Sequence, residues 1–256
     1  MSLFKRAIVR PPGTNFSDGL TTVDLGQPDV SKALAQHQRY CEVLESCGLA
    51  LTTLPADDRY PDSTFVEDTA ILTDRCAVVT LPGADSRRGE IAAINDLLPQ
   101  FFEEIHLIQE PGRVDGGDIC EAGEHFFIGI SKRTNEDGAH QLAEILSSYG
   151  FTSEFVDIRN IKSILHLKSG VAYLNSKQLV VIDELADRFK GYEVIRVDAG
   201  DEYAANCVEI NNSVLVAAGY PSFALRLQKD GHQVVEVEMS EFQKMDGGLS
   251  CLSLRF

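Results

Sequence analysis

The stretch Met245-Asp246-Gly247-Gly248-Leu249-Ser250-Cys251-Leu252-Ser253 decides the fold, because it opens a repeat that the chain ends before completing. Each earlier copy of the repeat runs from a polar cassette into a strand, and continues with a second strand, a helix and a third strand. After Ser253 only three residues remain. The missing strand, helix and strand are supplied by residues 7–54, so the two ends of the chain are expected to complete one unit together.

Four complete copies of the repeat precede this stretch. Their polar cassettes are Glu67-Asp68-Thr69-Ala70-Ile71-Leu72, Asp115-Gly116-Gly117-Asp118-Ile119-Cys120, His166-Leu167-Lys168-Ser169-Gly170 and Ala205-Asn206-Cys207-Val208-Glu209-Ile210. We expect their helices at about 86–98, 135–149, 184–189 and 221–229, and the N-terminal helix at 29–48. A period of roughly 20 to 50 residues is typical of solenoids and propellers, and a closed ring explains why the terminal unit is split.

The repeat predicts an α/β fold in which residues 1–256 form a single domain. This domain is a five-bladed α/β propeller of ββαβ units with pseudo-fivefold symmetry, closed by the N- and C-terminal segments. A doubly wound α/β sheet is the alternative, since it also alternates strands with helices, but it would spread the cassettes along one edge. In the propeller the cassettes reach the axis at the same end. The polar side chains expected together there are Glu67, Asp68, Asp115, Asp118, His166 and Cys251.

The composition excludes two broad classes of partner. The 256 residues are 44% hydrophobic and 24% charged, as in an ordinary globular enzyme. A formal net charge of −16 argues against nucleic acid, whose phosphates require a basic face, and favours a small ligand with cationic parts. No apolar run approaches the roughly 20 residues of a membrane helix, and residues 1–6 lead directly into a strand rather than a signal sequence. We therefore expect a cytoplasmic protein without a membrane partner.

Three residues have the pattern of a nucleophilic site. Cys251 follows two glycines at a point where a loop turns into a strand, and a thiolate there can act as a nucleophile. Its chemistry requires a base and an acid that orients the base, and His166 and Asp115 stand in similar settings in their cassettes. The ordinary alternatives are a buried cysteine, a structural histidine and a turn aspartate before two glycines. The other five cysteines form no Cys-x-x-Cys pair and the six histidines show no ligand spacing, so we expect reduced thiols and no metal.

Five ordered motifs of the chain carry a resemblance to a known family. They are Pro61-Asp62-Ser63-Thr64-Phe65-Val66-Glu67-Asp68, Asp115-Gly116-Gly117-Asp118, Ser131-Lys132-Arg133-Thr134-Asn135, His166-Leu167-Lys168-Ser169 and Gly248-Leu249-Ser250-Cys251. In this order they resemble the dimethylarginine dimethylaminohydrolases, of the guanidine-modifying (pentein) superfamily. The resemblance implies the same propeller fold and hydrolysis of a methylated arginine to citrulline and a methylamine, without a cofactor. It is also the sole basis for expecting a homodimer.

The resemblance implies a role for each catalytic candidate. Cys251 attacks the guanidinium carbon and expels the alkylamine, which leaves an S-linked thiouronium for water to cleave. His166 protonates the departing amine and then takes a proton from the attacking water. Asp115 accepts a hydrogen bond from the other ring nitrogen of the histidine. For Asp118 two expectations stay open, since it either contacts the pocket or braces the loop.

The resemblance also implies the substrate contacts. Asp62, Glu67 and Asp68 form an acidic group suited to a guanidinium, because each carboxylate can accept two parallel N–H bonds. Arg87 and Arg133 are expected to bind the α-carboxylate of the substrate, whereas the neighbouring Arg88 is expected to pair with a nearby acid. A solvated acidic loop and exposed, paired arginines are the alternatives. Two further residues are expected to contact the amino-acid end of the substrate through the main chain: Leu20 and Met245.

Lys168 separates this chain from neighbouring families. Arginine deiminases and amidinotransferases carry an acid two residues after the catalytic histidine, where this chain has Lys168. A lysine there is expected to repel plain arginine and leave room for N-methyl groups. Two other functions remain open from the sequence. One is an arginine deiminase-like hydrolase of free arginine, and the other is a non-catalytic protein that binds cationic amino acids in the acidic pocket.

Overall fold

Five three-stranded sheets make up the β-structure in the part of the chain that the computed structural model describes, residues 4–174 and 177–256. The first three residues of the 1–6 stretch, which was expected to lead into the first strand, lie outside the described residues. The strands are β1 (Arg6–Val9), β2 (Ala50–Thr53), β3 (Ala70–Leu72), β4 (Ala77–Val79), β5 (Ile105–Leu107), β6 (Ile119–Ala122), β7 (His125–Ile130), β8 (Thr152–Asp157), β9 (Val171–Leu174), β10 (Gln178–Val181), β11 (Glu193–Arg196), β12 (Val208–Ile210), β13 (Ser213–Ala217), β14 (Gln233–Val237) and β15 (Ser253–Arg255).

All five sheets have the same topology. In each, the first strand of the unit pairs antiparallel with the second, and the second pairs parallel with the third. Four sheets use strands that are consecutive in the chain, from β3-β4-β5 to β12-β13-β14. The fifth is β15-β1-β2, in which Ala7 lies opposite both Arg255 and Leu51. The two ends of the chain therefore complete one blade, and the predicted five-bladed α/β propeller is confirmed.

The central strand of each sheet is apolar and buried. β4 and β13 are buried along their whole length, whereas the outer strands β8 and β14 carry exposed residues. A strand that is covered on both faces reads as a continuous apolar run, which explains why the sequence predicted these strands well. The hydrophobic core lies between neighbouring blades. One such cluster joins Ile71 and Val78 of one blade to Ile119, Phe126 and Ile128 of the next.

Helices cover the outside of the sheets. They are α1 (Val30–Ser46), α2 (Ile91–Leu97), α3 (Glu136–Ser148), α4 (Pro221–Lys229) and α5 (Ser240–Gln243). The first and third begin at asparagine or aspartate N-caps: the Asp29 side chain accepts from the Lys32 N–H, and the Asn135 side chain accepts from the Gly138 N–H. Among the described residues, no helix has the length and apolar character needed to span a membrane.

Two helix predictions were wrong in detail. The segment expected as a helix over 86–98 begins with 3₁₀ turns at Asp85–Glu90, and α2 starts only at Ile91. Gly89 lies in the 3₁₀ part, and glycine is a poor helix former. The helix expected at 184–189 is a single 3₁₀ turn, Asp183–Leu185, because so short a segment gains too few hydrogen bonds to offset helix nucleation. The short helix α5 was not predicted.

A single 3₁₀ turn stands before the first strand of every sheet. The turns are Val66–Thr69, Gly116–Asp118, Leu167–Ser169, Glu202–Ala205 and Ser250–Leu252. The turns contact one another in a series. Their order is Ser250–Leu252, Val66–Thr69, Gly116–Asp118, Leu167–Ser169 and Glu202–Ala205. The approach is close enough to require glycine, since a Cβ atom on Gly116 would overlap the Glu67 carbonyl oxygen. The five polar cassettes therefore converge at one end of the axis, as predicted.

Candidate active site

Cys251 lies in the 3₁₀ turn of the 245–253 loop. Its sulfur accepts from the Gly248 N–H, with an N···S distance of 3.4 Å. Gly247 packs against the Phe65 ring and Gly248 against the Asn206 side chain, and a Cβ atom on either glycine would overlap that neighbour. The paired glycines thus serve close packing. The positive φ of the loop falls instead on Asp246, at 57°.

Two tyrosines hold the 245–253 loop from outside. Tyr203 donates to the Gly247 carbonyl oxygen at 2.7 Å, and Tyr40 donates to the Leu249 carbonyl oxygen at 2.9 Å. Tyr40 belongs to α1 and is fully buried. The segment that carries the thiol is therefore fixed at its main chain before any ligand binds.

His166 and Asp115 form the expected pair. The His166 Nε2 atom lies 2.9 Å from Asp115 Oδ2, and Asp115 Oδ1 accepts from the Gly83 N–H at 2.7 Å. Gly117 lies against the imidazole and leaves no room for a Cβ atom. Burial alone would lower the pKa of His166, but the carboxylates of Asp68 and Asp115 reverse the effect and raise it to about 9. At neutral pH the ring is therefore an imidazolium that donates to Asp115.

Asp68 supplies a permanent negative charge beside this pair. Its Oδ1 atom accepts from the Gly117 N–H at 2.8 Å, and its Oδ2 atom accepts from Arg87. Burial would raise the pKa of Asp68, but the charges of His166 and Arg87 lower it to about 2. The carboxylate therefore remains ionised and favours a cation in front of it.

Asp118 braces the turn that follows the histidine. It is fully buried, and its Oδ1 atom accepts from the Leu167 N–H at 3.0 Å while Oδ2 accepts from the Ser131 hydroxyl at 2.7 Å. Burial raises the pKa of Asp118 to about 6. It is not among the residues that line the small pocket described next. Of the two expectations for this residue, the structure favours loop support.

A small pocket of about 30 Å³ opens in front of Cys251 and His166. Its described lining includes eight of the residues that the sequence predicted for the site: Leu20, Asp62, Asp68, Arg87, Arg133, His166, Met245 and Cys251. Asp115 lies behind His166 and reaches the pocket through the imidazole. Residues separated by more than 200 positions therefore meet in one site.

The loop that contains Leu20 lies at this pocket and is held by hydrogen bonds on two sides. The Leu20 N–H donates to both Asp62 carboxylate oxygens, at 3.0 and 3.3 Å. On its other side the Thr21 hydroxyl donates to the Lys244 carbonyl oxygen at 2.9 Å, and the Thr22 N–H donates to Asp246 Oδ2 at 2.5 Å. Asp62 thus positions the Leu20 loop in addition to lining the pocket.

The two arginines predicted to bind a carboxylate differ in which of their N–H groups lack a hydrogen-bond acceptor. Arg87 is buried and donates to Glu90, to Asp68 and to the Phe65 carbonyl oxygen, so that one N–H on Nη1 remains for a ligand. Arg133 Nη1 is buried without a hydrogen-bond partner, and it lies 3.8 Å from Asp115 Oδ2. A buried guanidinium nitrogen without a partner is a ready site for an anionic group.

Arg88, next to Arg87, behaves as an ordinary surface residue. It pairs with Asp85 at 3.1 Å and with Glu110 at 2.9 Å. This agrees with the expectation that Arg88 pairs with a nearby acid.

Glu67 and Lys168 do not join the small pocket. Lys168 Nζ donates to Glu67 Oε1 at 2.6 Å, and the Ser250 hydroxyl donates to Glu67 Oε2 at 2.8 Å. All three residues line a second, larger cavity on the axis, of about 130 Å³. The reason lies in the tight turns, in which successive side chains point to different sides: Glu67 and Asp68 face different cavities, as do Ser250 and Cys251. The expectation that Glu67 faces the same site as Asp68 is not met by this geometry.

The thiol of Cys251 is protonated in the resting structure. Burial raises its pKa to about 12, and the charges of Glu67 and Asp68 act in the same direction. A cation placed beside the sulfur would lower this pKa and favour the thiolate. Of the remaining cysteines, Cys76, Cys120 and Cys207 are buried as expected, whereas Cys41 and Cys47 are only partly buried.

Asp68, Asp115 and His166 also have ligand atoms within 4.8 Å of one another, a spacing at which three groups can hold a metal ion. Their atoms already have hydrogen-bond partners: Gly117 and Arg87 for Asp68, and Gly83 and His166 for Asp115. The adjacent Arg87 guanidinium adds a repulsive charge. The cluster therefore suits a bound organic cation with N–H donors better than a metal.

The chain is similar in sequence to proteins of known name. A family model described as arginine deiminase matches residues 96–220. The chain is 43% identical to the N(G),N(G)-dimethylarginine dimethylaminohydrolase of Pseudomonas aeruginosa, over 99% of this chain and 100% of that protein. It is 34% identical to the protein of the same name from Streptomyces coelicolor, over 98% and 96% of the two chains.

Solved structures give the same result. A cysteine-to-serine mutant of the dimethylarginine dimethylaminohydrolase from Pseudomonas aeruginosa, complexed with citrulline, superposes with a TM-score of 0.96. It is 42% identical in sequence, and the alignment covers 100% of both chains. Fold and sequence therefore agree over the full length of the chain.

Proposed function

The chain belongs to the dimethylarginine dimethylaminohydrolase family, and on this premise we propose that it hydrolyses an N-methylated arginine to citrulline and a methylamine through a covalent adduct on Cys251. It is a hydrolase of the C–N bond of a linear amidine, and its substrate is a small cationic amino acid. The observation that carries the assignment of residues is one arrangement. Cys251, His166 and Arg133 line one small pocket, Asp115 binds His166 from behind, and Arg133 Nη1 has no hydrogen-bond partner.

The pocket binds the two ends of the substrate differently. The guanidinium lies against the ionised Asp68 carboxylate, in front of the thiol of Cys251. The α-carboxylate accepts from Arg133 and from the remaining Nη1 hydrogen of Arg87. The main chain of Leu20 and Met245 contacts the amino-acid end, on the loop that Asp62 holds in place.

Binding prepares the nucleophile. The resting thiol has a pKa of about 12, so an empty site contains little thiolate. The guanidinium brings a positive charge next to the sulfur, lowers this pKa and is itself the electrophile. The thiol proton passes to solvent as the cation binds, so the thiolate forms where its target is bound, and side reactions of the free enzyme are limited.

His166 then acts twice. With its pKa near 9 it is protonated at neutral pH, and it donates a proton to the nitrogen that leaves as methylamine or dimethylamine. The S-alkylthiouronium remains on Cys251. The neutral imidazole next takes one proton from the water that attacks the same carbon, and the sulfur leaves with the second proton, so that citrulline and the neutral thiol are released. Asp115 keeps Nε2 oriented in both steps and leaves the other ring nitrogen for proton transfer.

Steady-state rates of citrulline formation test the substrate assignment. We expect turnover of asymmetric dimethylarginine and of monomethylarginine, with kcat/KM for arginine at least roughly tenfold lower, a difference of about 1.4 kcal/mol in transition-state binding. Citrulline formed from arginine at a comparable kcat/KM would contradict the methylarginine assignment and would favour a deiminase, the activity named by the matching family model.

Three features of the whole protein complete the proposal. Residues 1–256 act as one domain, because the blade β15-β1-β2 joins both ends of the chain. The six free cysteines suit the reducing cytoplasm. The active unit is a homodimer by resemblance, and light scattering during gel filtration measures this directly.

A further inference from the structure

Asn206 occupies the fourth polar cassette, which contributes no residue to the small pocket. Its side chain is 6% exposed and makes three hydrogen bonds. The Nδ2 atom donates to the Lys168 carbonyl oxygen at 2.7 Å and to the Ser250 hydroxyl at 3.0 Å, while Oδ1 accepts from the Ser250 N–H at 3.0 Å. One carboxamide thus uses both of its N–H groups and its oxygen.

The partners of Asn206 belong to two different catalytic segments. Lys168 lies in the turn Leu167–Ser169, which starts directly after His166. Ser250 is the residue before Cys251. Asn206 therefore joins the main chain that carries the general acid to the main chain that carries the nucleophile, through one side chain.

The other supports hold only one of these segments at the main chain. Tyr203 and Tyr40 bind carbonyl groups of the 245–253 loop, and Asp118 binds the Leu167 N–H of the histidine turn. Glu67 does bridge the two segments, but it contacts the Ser250 hydroxyl and the flexible end of Lys168. Among these contacts, the Asn206 carboxamide is the one that links main-chain atoms of both turns.

The position of Asn206 is also sterically fixed. Gly248 packs so closely against its carboxamide that a Cβ atom on the glycine would overlap Oδ1 and Cγ. The second glycine of the 245–253 loop is thereby explained by the asparagine. A side chain held on two sides and bonded at three atoms has little freedom to shift.

We propose that Asn206 is a positioning residue that sets the placement of Cys251 relative to His166. The proposal rests on the assignment of these two residues as nucleophile and general acid. Asn206 does not line the pocket, and its hydrogen bonds go to Lys168 and Ser250 rather than to either arginine, so its loss should alter the alignment of the reacting groups without altering the binding of the substrate. A displacement of about 1 Å between reacting groups can reduce a rate roughly 100-fold.

The test compares Asn206→Ser with Asn211→Ser. Asn211 is the control, because its Nδ2 atom also makes two hydrogen bonds, in this case to the main-chain carbonyl groups of Phe4 and Cys47, at 3.2 and 2.8 Å. It lies outside the small pocket. We measure kcat and KM for asymmetric dimethylarginine, the dissociation constant of citrulline and the unfolding free energy of each variant.

For Asn206→Ser we expect kcat to fall by roughly 30-fold or more, with KM and the citrulline dissociation constant within about threefold of the parent values. Asn211→Ser should also lose stability, because it removes two hydrogen bonds and places serine at a φ of 56°, but it should keep kcat within about twofold. If Asn206→Ser does not fold, Asn206→Asp has nearly the same volume and is compared at its own pH optimum, since its added charge raises the pKa of the nearby thiol.

Three results would overturn the proposal. They are a kcat for the Asn206 variant within about threefold of the parent, an equal loss of kcat in both asparagine variants, and a rise in KM at constant kcat. The Cys251→Ser variant separates this failure from that of the proposed function. If Cys251→Ser is inactive while Asn206→Ser is fully active, the nucleophile assignment stands and only the positioning role is lost.

Discussion

The two cavities of the propeller differ in the side chains that line them. In the larger cavity Glu67 forms ion pairs with Lys168 and Arg255 and accepts from the Ser250 hydroxyl, and burial raises the pKa of Glu121, another lining residue, to about 7. The smaller pocket is lined by the Cys251 thiol, the His166 imidazolium and Arg133, whose Nη1 atom has no hydrogen-bond partner. The larger cavity is not the one that contains the candidate nucleophile and its histidine, so the volume of a cavity does not by itself locate the site.

The difference arises within single turns of the chain. Neighbouring residues of one 3₁₀ turn supply both cavities: Glu67 and Ser250 face the larger, while Asp68 and Cys251 face the smaller. The turns thus separate the pocket that contains Cys251 from the cavity in which Glu67 is paired with Lys168. Substitutions on the two sides of these turns should have very different effects on turnover, and the following variants test that contrast.

The largest difference is expected between two cysteines that each lie in a polar cassette, Cys251 at the small pocket and Cys207 at the larger cavity. Cys251→Ser should lower kcat by roughly 10⁴-fold or more, because the hydroxyl is a far poorer nucleophile than a thiolate, while citrulline still binds. Cys207→Ala alters a lining residue of the larger cavity and should keep kcat within about threefold. Steady-state kinetics and calorimetric binding of citrulline measure both. Equal losses in the two variants would remove the contrast between the cavities.

Asp115→Asn should act through the protonation of His166 and lower kcat by roughly 10² to 10⁴-fold. Burial lowers the pKa of His166, whereas Asp68 and the hydrogen bond to Asp115 raise it, so the variant should have a lower histidine pKa. Since the imidazolium is the form that protonates the leaving amine, activity should fall as pH rises through about 9 in the parent enzyme, and at a lower pH in the variant.

The pH profile of kcat/KM from pH 6 to 10.5 makes this comparison. A descending limb at the same pH in both enzymes would show that the group titrating there is not the histidine paired with Asp115. Asp74→Asn, on a half-exposed side chain away from the pocket, controls for a general change in surface charge.

Arg133→Gln should affect binding rather than chemistry. Loss of a charge-assisted hydrogen bond to the α-carboxylate should raise KM by roughly 30- to 100-fold, about 2 to 3 kcal/mol, with kcat within about threefold. A substrate without the carboxylate should show no further loss in this variant. Arg88→Gln is the matched control, because Arg88 pairs with Asp85 and Glu110 outside the pocket. A fall in kcat at constant KM for Arg133→Gln would contradict the carboxylate contact.

The smallest effect on turnover is expected for residues that line the larger cavity. Lys168→Met leaves the buried Glu67 carboxylate without its main partner and should lower the unfolding free energy by about 3 kcal/mol. The double variant Glu67→Gln with Lys168→Met removes both charges and should recover most of that loss. Its ratio of kcat/KM for dimethylarginine to that for arginine should stay within about threefold of the parent ratio.

This ratio also decides the hypothesis that Lys168 excludes plain arginine. A rise in arginine turnover by more than about tenfold in the double variant would support that hypothesis and would show that the two cavities are not independent. The position of Lys168 two residues after His166 suggested the role, but in the structure its ammonium group is paired with Glu67 on the other side of the turn.

The sequence predicted the ring because each blade repeats the same order of a polar cassette, apolar strands and a helix. It could not predict on which side of a turn each polar residue points, since a 3₁₀ turn changes the direction of the side chain from one residue to the next. Glu67 was therefore grouped with Asp68. Asn206 was overlooked because it stands beside Cys207, and nothing in the sequence shows that its carboxamide reaches two other cassettes. Contacts of this kind depend on the closed ring.

Mass spectrometry of the enzyme quenched during turnover tests the central claim most directly. The account predicts a transient adduct on the peptide that contains Cys251, whose added mass is that of the whole substrate less the amine that has left. Dimethylarginine and monomethylarginine should give the same adduct, because the methylated nitrogen leaves before the quench. An enzyme that turns over rapidly without any adduct on Cys251, or with the adduct on another residue, would contradict the account.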